Sequence, residues 1–158
     1  MNTPMQTVIA FDFGTSRMGV ASGQSLTGTA SALVPLPARD GIPNWDTIQS
    51  LLDQWQPDCL VVGIPLNMDG TISEMARRAR KFANRLHERF KYPVYLMDER
   101  LTTSEAKSIH LAKGGSRDYK NHSVDGIAAQ LILESWFETE HKLPSHTPLE
   151  TFYDIEQP

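Results

Sequence analysis

Cysteine is nearly absent from this sequence of 158 residues, with Cys59 as the single example. An internal disulfide is therefore impossible, and the ligands of a zinc finger or zinc knuckle are missing. No apolar run approaches the roughly 20 residues needed to span a bilayer, and residues 1–7 lack the basic and apolar regions of a secretory signal. These absences favour a cytoplasmic protein that does not enter membranes.

The common nucleotide-binding loops are also missing. The sequence has no Gly-x-x-x-x-Gly-Lys-Ser/Thr segment and no Gly-x-Gly-x-x-Gly segment after a strand. An excess of positive charge is missing as well, since the net charge is −4, which argues against a generic nucleic-acid binder. However, seven of the fifteen residues from Arg77 to Lys91 are basic, so the positive charge is locally concentrated.

Hydrophobic patterning predicts a mixed α/β domain. Strands are predicted at 7–14, 18–23, 29–38, 59–64 and 94–97, and helices at 45–55, 72–90, 103–112 and 123–138. The short connection between the first two strands predicts a hairpin, and the later alternation of strands with helices predicts parallel pairing. We therefore expect a mixed five-stranded sheet with helices on both faces. The predicted domain spans residues 1–138, and residues 139–158 are predicted to form a C-terminal tail.

Three acidic positions fall where this fold would expose them to a ligand. Asp12 lies within an apolar strand, Asp98-Glu99 ends another strand, and Asp125 opens the last helix. Taken singly, each has an ordinary explanation: an Asx turn near Gly14, a partner for a neighbouring arginine, or a favourable charge at a helix start. Taken together, they predict a site at the carboxyl ends of the strands.

Carboxylates without histidine or cysteine partners favour hard cations, namely Mg²⁺ or Mn²⁺. Two such ions roughly 3.5–4 Å apart stabilise the entering and leaving oxygens of a phosphoryl displacement. The residue types therefore indicate metal-dependent phosphodiester chemistry.

Basic residues supply candidate contacts to a phosphate backbone. Arg77, Lys81, Arg85 and Arg89 recur every four residues on the long helix, as an exposed stripe or as an ordinary solvated face, and the first three are the candidate contacts. The loop 114–122 adds Arg117 and Lys120, either to grip a phosphate or as a plain connector. Asn67, in the polar segment after the fourth strand, is a candidate to hydrogen-bond substrate or to shape its turn.

Four ordered segments resemble the YqgF family of bacterial Holliday-junction-resolvase-like proteins. They are FDFGTSRMGVA (11–21), VGIPLNMDG (62–70), DERLTT (98–103) and VDGIAA (124–129). The resemblance implies a ribonuclease-H-type fold and a Mg²⁺- or Mn²⁺-dependent nuclease that trims the 5′ end of precursor 16S ribosomal RNA in the cytoplasm. It also implies that Asp12, Glu99 and Asp125 are the catalytic metal ligands; the role of Asp98 is left open.

Alternatives to RNA cleavage remain open. Junction resolvases of this fold usually add an acidic or histidine residue about one turn beyond the last carboxylate, where this chain has Ala128 and Ala129. The alternatives are a resolvase of branched DNA, a fragment related to actin-like ATPases, and a non-catalytic module for ribosome assembly or transcription. Monomer and homodimer are both compatible with the sequence.

Overall fold

The computed structural model describes residues 6–101, 124–139 and 142–151, without the side chains of Leu101, Val124 and Asp125. Its strands are β1 (Thr7–Asp12), β2 (Arg17–Gln24), β3 (Thr29–Ala32), β4 (Leu36–Arg39), β5 (Ile42–Pro43), β6 (Cys59–Ile64), β7 (Val94–Asp98) and β8 (Leu143–Pro144). Its helices are α1 (Trp45–Trp55), α2 (Glu74–Phe90) and α3 (Val124–Glu138), and a 3₁₀ turn spans Glu99–Leu101. The helix predicted at 103–112 lies outside the described residues.

The strands form one mixed sheet of eight strands in the order β5-β4-β2-β1-β6-β7-β8, with β3 also paired to β2. The β1–β2 hairpin is antiparallel, whereas β1–β6 and β6–β7 are parallel. The predicted mixed α/β sheet is confirmed. The described sheet has three strands more than the five predicted, because the short edge strands β5 and β8 carry no periodic pattern and the predicted third strand is divided in two.

The predicted third strand, 29–38, is two strands rather than one. Residues 33–35 separate β3 from β4, and Pro35 cannot donate a ladder hydrogen bond. A turn at Asp40 and Gly41, which have φ angles of 50° and 79°, then connects β4 to β5. Positive φ at both central residues is the requirement of a type I′ hairpin turn, which Asp-Gly satisfies.

The helix caps explain where α1 and α2 begin. Asn44 accepts a hydrogen bond from the Asp46 backbone N–H, in agreement with the predicted start of α1. The Thr-x-x-Glu pattern at Thr71 and Glu74 predicts a capping box that starts the long helix at residue 72. This prediction is wrong, because Ser73 is the N-cap and accepts from the Ala76 backbone N–H at 2.9 Å. The hydroxyl of Thr71 instead donates to the Asp69 carboxylate within the preceding loop.

The sheet is covered by helices on both faces, as predicted. Alternation along β1 places Ile9 and Phe11 in the core beneath α1 and α2 and places Val8 and Ala10 in the core beneath α3. The aromatic contact between Phe11 and Phe82, at 5.6 Å between ring centroids, joins β1 to α2. Each face of the sheet thus has its own hydrophobic core.

Part of the predicted C-terminal tail packs onto the domain. Strand β8 pairs antiparallel with β7, and Leu149 is buried in the core beneath α1 and α2. Arg80 of α2 donates to the backbone carbonyls of His146 and Thr147. Residues 143–149 therefore cover the edge of β7, which would otherwise expose unpaired backbone groups.

Candidate metal and nucleic-acid site

A glycine in the middle of the sheet lies at the centre of the candidate site. A Cβ atom added to Gly63 would lie 2.9 Å from a Glu99 carboxylate oxygen, 3.1 Å from Glu99 Cγ and 2.6 Å from Ile132 Cδ1. The Glu99 side chain therefore folds back over β6 and occupies the volume that any other residue at 63 would fill. Glycine at this position is a requirement of close approach rather than of backbone conformation.

Asp12 is the neighbour of Gly63 on the adjacent strand. β1 and β6 are parallel, with Phe11 paired to Val62, so the same register places Asp12 beside Gly63. Asp12 follows Val8 and Ala10 in the alternation that faces α3, which is also the side on which Ile132 approaches Gly63. Asp12 and Glu99 are both partly buried. The two carboxylates thus border the same glycine on the same face of the sheet.

The first turn of α3 lies towards this end of the sheet. Ile132 of α3 packs against Gly63 of β6. Trp136, one turn later in α3, packs on Tyr95, which pairs with Val61. Val61 comes two residues before Gly63 in β6. Going backwards along α3 therefore leads towards the carboxyl ends of the strands. The backbone of Asp125 is seven residues before Ile132, about 10 Å along the axis and on nearly the same helical face. The Asp125 side chain lies outside the described part of the structure.

Asp98 is held by an arginine two residues away. Its carboxylate accepts from Arg100 Nη2 at 2.8 Å, from Nε at 3.1 Å and from the Arg100 backbone N–H at 2.9 Å. The side chains of Asp98 and Arg100 are only 2% and 9% exposed, so this bidentate pair is almost fully desolvated. The pair fixes the backbone on both sides of Glu99 and thereby positions that side chain.

The loop that contains Asn67 is closed by its own hydrogen bonds. The Asn67 side-chain amide donates to the Thr71 hydroxyl at 2.8 Å, and its backbone N–H donates to the Thr71 carbonyl. Hydrogen bonds from Thr71 to the carboxylate lower the pKa of Asp69. The predicted turn-shaping role of Asn67 is thus visible in its contacts, and its role towards substrate stays a prediction.

The basic residues of α2 have separate tasks. Arg78 donates to the Asp40 carbonyl and forms an ion pair with its carboxylate at 3.1 Å, while Arg80 holds the C-terminal segment. Arg77 and Lys81 are exposed, and Arg85 is partly buried. These last three line a cavity of about 350 Å³ between α2 and the β4–β5 turn. The predicted stripe therefore exists as a set of basic groups at the surface.

The remaining candidate positions fall outside what the structure describes. Arg117 and Lys120 lie in the undescribed range 102–123, so their predicted contact with nucleic acid stays a prediction. Among the described side chains, no three histidine, cysteine, aspartate or glutamate residues are grouped so that they could hold a metal ion. The side chain of Asp125 is not among those described. Within the same described ranges, no helix is long and apolar enough to cross a membrane.

Cys59 is an inert core residue, as its apolar neighbours predict. It is 3% exposed at the start of β6, and burial raises the pKa of its thiol to about 11. A thiol that stays protonated at neutral pH is a poor nucleophile and a poor metal ligand.

Gly63 is the residue that sequence reasoning missed. The apolar run from Cys59 to Ile64 predicts a buried strand, and the glycine inside that run is in addition a signal of close approach by another group. The Asp40-Gly41 turn was a second overlooked signal.

Comparison with known sequences gives matches over most of the chain. The model of the RuvX family, described as "Holliday junction resolvase", matches residues 6–139. A protein of Saccharophagus degradans is 58% identical over 139 residues, which cover 88% of this chain and 98% of the relative. A protein of Chromohalobacter salexigens is 63% identical, with 82% and 88% covered. Both relatives bear the name "Putative pre-16S rRNA nuclease".

Comparison with solved structures identifies the fold. RuvC of T. thermophilus in complex with a Holliday junction substrate superposes with a TM-score of 0.60, covering 88% of this chain and 99% of that chain at 13% identity. A second structure, Thermus thermophilus RuvC, gives a TM-score of 0.53 at 14% identity. The predicted ribonuclease-H-like fold is confirmed, and at these identities the likeness concerns the fold alone.

Proposed function

The chain belongs to the RuvX family, and we propose that it is a metal-dependent nuclease that hydrolyses a phosphodiester near the 5′ end of precursor 16S ribosomal RNA in the cytoplasm. The observation that carries the nuclease chemistry is the position of the Glu99 carboxylate over Gly63, beside Asp12. The RNA substrate rests on the name shared by relatives that are 58% and 63% identical.

We propose Asp12, Glu99 and Asp125 as ligands of Mg²⁺ or Mn²⁺. The donor set fits these hard cations because it consists of carboxylate oxygens. It fits sterically because the absent Cβ of Gly63 leaves room for the Glu99 carboxylate at the end of the sheet. A bound ion of this kind supplies Lewis acidity towards the phosphoryl oxygens and lowers the pKa of coordinated water.

The chain's own residues supply positioning and charge. The buried pair of Asp98 and Arg100 flanks Glu99 and limits the directions in which its carboxylate can point. Arg77, Lys81 and Arg85 offer cationic contacts to the RNA backbone, and we propose Arg117 and Lys120 as further contacts. Asn67 is proposed to contact substrate through the loop that Thr71 closes. The proposed active species is a monomer or a homodimer.

A second candidate function is cleavage of branched DNA, which the description of the family model favours. The two functions separate in a competition assay with Mn²⁺, a precursor 16S RNA fragment and a four-way DNA junction. We expect RNA to be cut preferentially. Preferential cutting of the junction would overturn the choice of substrate and leave the metal site unaffected.

The RNA cleavage assay should include two variants of α3, each of which replaces one carboxylate by an amide at a different position of the helix. Asp125→Asn removes a proposed ligand at the start of α3, whereas Glu138→Gln removes an exposed carboxylate at its end. We expect Asp125→Asn to lower the cleavage rate by about 100-fold or more, as is usual when a group that stabilises developing charge is removed. Glu138→Gln is expected to cut at the wild-type rate. Equal activity of all three proteins would exclude Asp125 from the reaction.

A further inference from the structure

The cavity between α2 and the β4–β5 turn combines charge with apolar surface. Its volume of about 350 Å³ is at the lower end of the roughly 300–1,000 Å³ range of small-molecule pockets. Arg77, Lys81 and Arg85 line its α2 side, and Phe13, Gly41 and Ile42 line the other side. A plain phosphate-binding surface requires only the first set of residues. The second set indicates a ligand with an apolar or aromatic part.

The acidic residues of the lining do not cancel this positive charge. Asp40 is already paired with Arg78 at 3.1 Å. Glu74 is in the first turn of α2, where the helix dipole favours a carboxylate. The lining has four basic and two acidic residues, which leaves a net charge of +2. The whole chain, by contrast, has a net charge of −4. Such local excess attracts anions.

The apolar wall is preorganised. The ring of Phe13 packs against Phe82 at 5.6 Å between centroids. A Cβ added to Gly41 would lie 2.9 Å from Phe13 Cζ, so the glycine lets the turn lie directly on this ring. Ile42 next to it is 52% exposed, so its apolar side chain is accessible to a ligand in the cavity.

One residue of the cavity lining is adjacent in sequence to a proposed metal ligand. Phe13 directly follows Asp12, and the two residues face opposite sides of the sheet, towards α2 and α3 respectively. A strand of nucleic acid that crosses the carboxyl end of β1 would therefore reach both the carboxylates and the cavity.

We propose that this cavity binds one unpaired nucleotide of the RNA strand outside the scissile bond, with its base against Ile42 and Phe13 and its phosphate on Arg77 and Lys81. This inference rests on the proposed function and adds a preference for a single-stranded flank. A base in a duplex is stacked and paired, so only an unpaired nucleotide offers both its face and its phosphate to the cavity.

The test is a binding titration in which the full chain is added to a labelled unstructured RNA without divalent metal. Binding is measured by the fluorescence anisotropy of the label. Ile42→Ser removes apolar surface without changing charge, and Val34→Ser is the matched control because Val34 is 84% exposed and does not line the cavity. We expect Ile42→Ser to weaken binding by about threefold or more and Val34→Ser to leave it unchanged, as loss of base contacts predicts. Ile42→Val, which keeps the apolar wall, is expected to bind like wild type.

A second pair of variants separates the cavity from the general charge of the helix. Lys81→Gln removes a charge that lines the cavity, while Arg89→Gln removes another exposed charge of the same helix, one that packs on Trp45 instead. Lys81→Gln should weaken binding several-fold more than Arg89→Gln. The same RNA annealed into a duplex should bind Ile42→Ser and wild type equally, and a free nucleoside monophosphate should compete only weakly because it lacks the neighbouring phosphates.

Each outcome decides between the proposals. Unchanged binding by Ile42→Ser, or equal losses for Lys81→Gln and Arg89→Gln, would overturn the nucleotide cavity and leave the nuclease proposal standing. Tight binding of free nucleotide without binding of RNA would assign the cavity to a small ligand and also overturn the inference. Failure of wild type to bind the RNA would overturn the nucleotide cavity, whereas failure of wild type to cleave precursor RNA with Mn²⁺ would overturn the proposed function.

Discussion

Replacement of Gly63 by alanine is the most informative single change to the proposed site. The new methyl group would lie 2.6 Å from Ile132 Cδ1 and 2.9 Å from a Glu99 oxygen, both well inside van der Waals contact. Overpacking of this kind costs about 1–3 kcal/mol. For a chain of this size that corresponds to a fall of about 2–12 °C in Tm, at about 2–4 °C per kcal/mol.

A second substitution separates the two clashes. Ile132→Val deletes the Cδ1 atom and alone should cost about 0.5–1.5 kcal/mol. In the Gly63→Ala background it should cost less or be stabilising, because it removes the closer contact, with a coupling of about 1 kcal/mol. The contact with Glu99 remains in the double variant. Stability should therefore recover while nuclease activity stays low.

The assay measures thermal unfolding and Mn²⁺-dependent RNA cleavage on the same preparations. Gly63→Ala is expected to lose about 100-fold or more in cleavage rate, since a displacement near 1 Å at a catalytic group has this effect. Recovery of both stability and activity in the double variant would show that the methyl group introduced at position 63 clashes with Ile132 and not with Glu99. Full activity of Gly63→Ala itself would refute the reasoning that the Glu99 carboxylate must lie over residue 63.

Three further predictions concern the surroundings of the site. Asp98→Asn should lower the free energy of unfolding by about 3–5 kcal/mol in a urea titration, since it removes the charged partner from a buried ion pair; a loss below about 1 kcal/mol would contradict the desolvated pair. Ser73→Ala should cost about 1 kcal/mol through loss of the cap on Ala76, as measured by thermal unfolding; an unchanged Tm would contradict the assigned cap. Cys59 should resist alkylation by iodoacetamide at pH 8. It should react as the pH approaches its raised pKa of about 11, or when urea unfolds the chain. Rapid labelling of the folded protein at pH 8 would contradict its burial.

Local patterns predicted the central elements because the signals there are local. The run from Cys59 to Ile64 is continuously buried in β6, as its apolar composition indicates, and α1 has the predicted bounds because Asn44 caps it. Strand β8 could not be predicted in the same way. It consists of Leu143 and Pro144, and only its long-range pairing with β7 makes it a strand.

Sequence patterns predict the residue types of the proposed site but not their packing. Asp12 and Glu99 stood out because a carboxylate at the end of an apolar strand needs a reason to be there. Their common neighbour Gly63 was not identified, because contact between the Glu99 side chain and β6 depends on the turn that follows β7. The charges of α2 likewise could not be sorted from sequence: Arg78 and Arg80 hold neighbouring segments, and their partners lie 38 and 66–67 residues away.

The central claim is that carboxylates from distant parts of the chain hold one metal centre. Calorimetric titration with Mn²⁺ tests it most directly on wild type, Asp12→Asn and the control Asp53→Asn, whose carboxylate is exposed on α1. Wild type and Asp53→Asn should bind Mn²⁺ with the same affinity, and Asp12→Asn should bind at least about 10-fold more weakly, because an amide donates less charge to a hard cation. Equal affinity of Asp12→Asn and wild type would contradict the account.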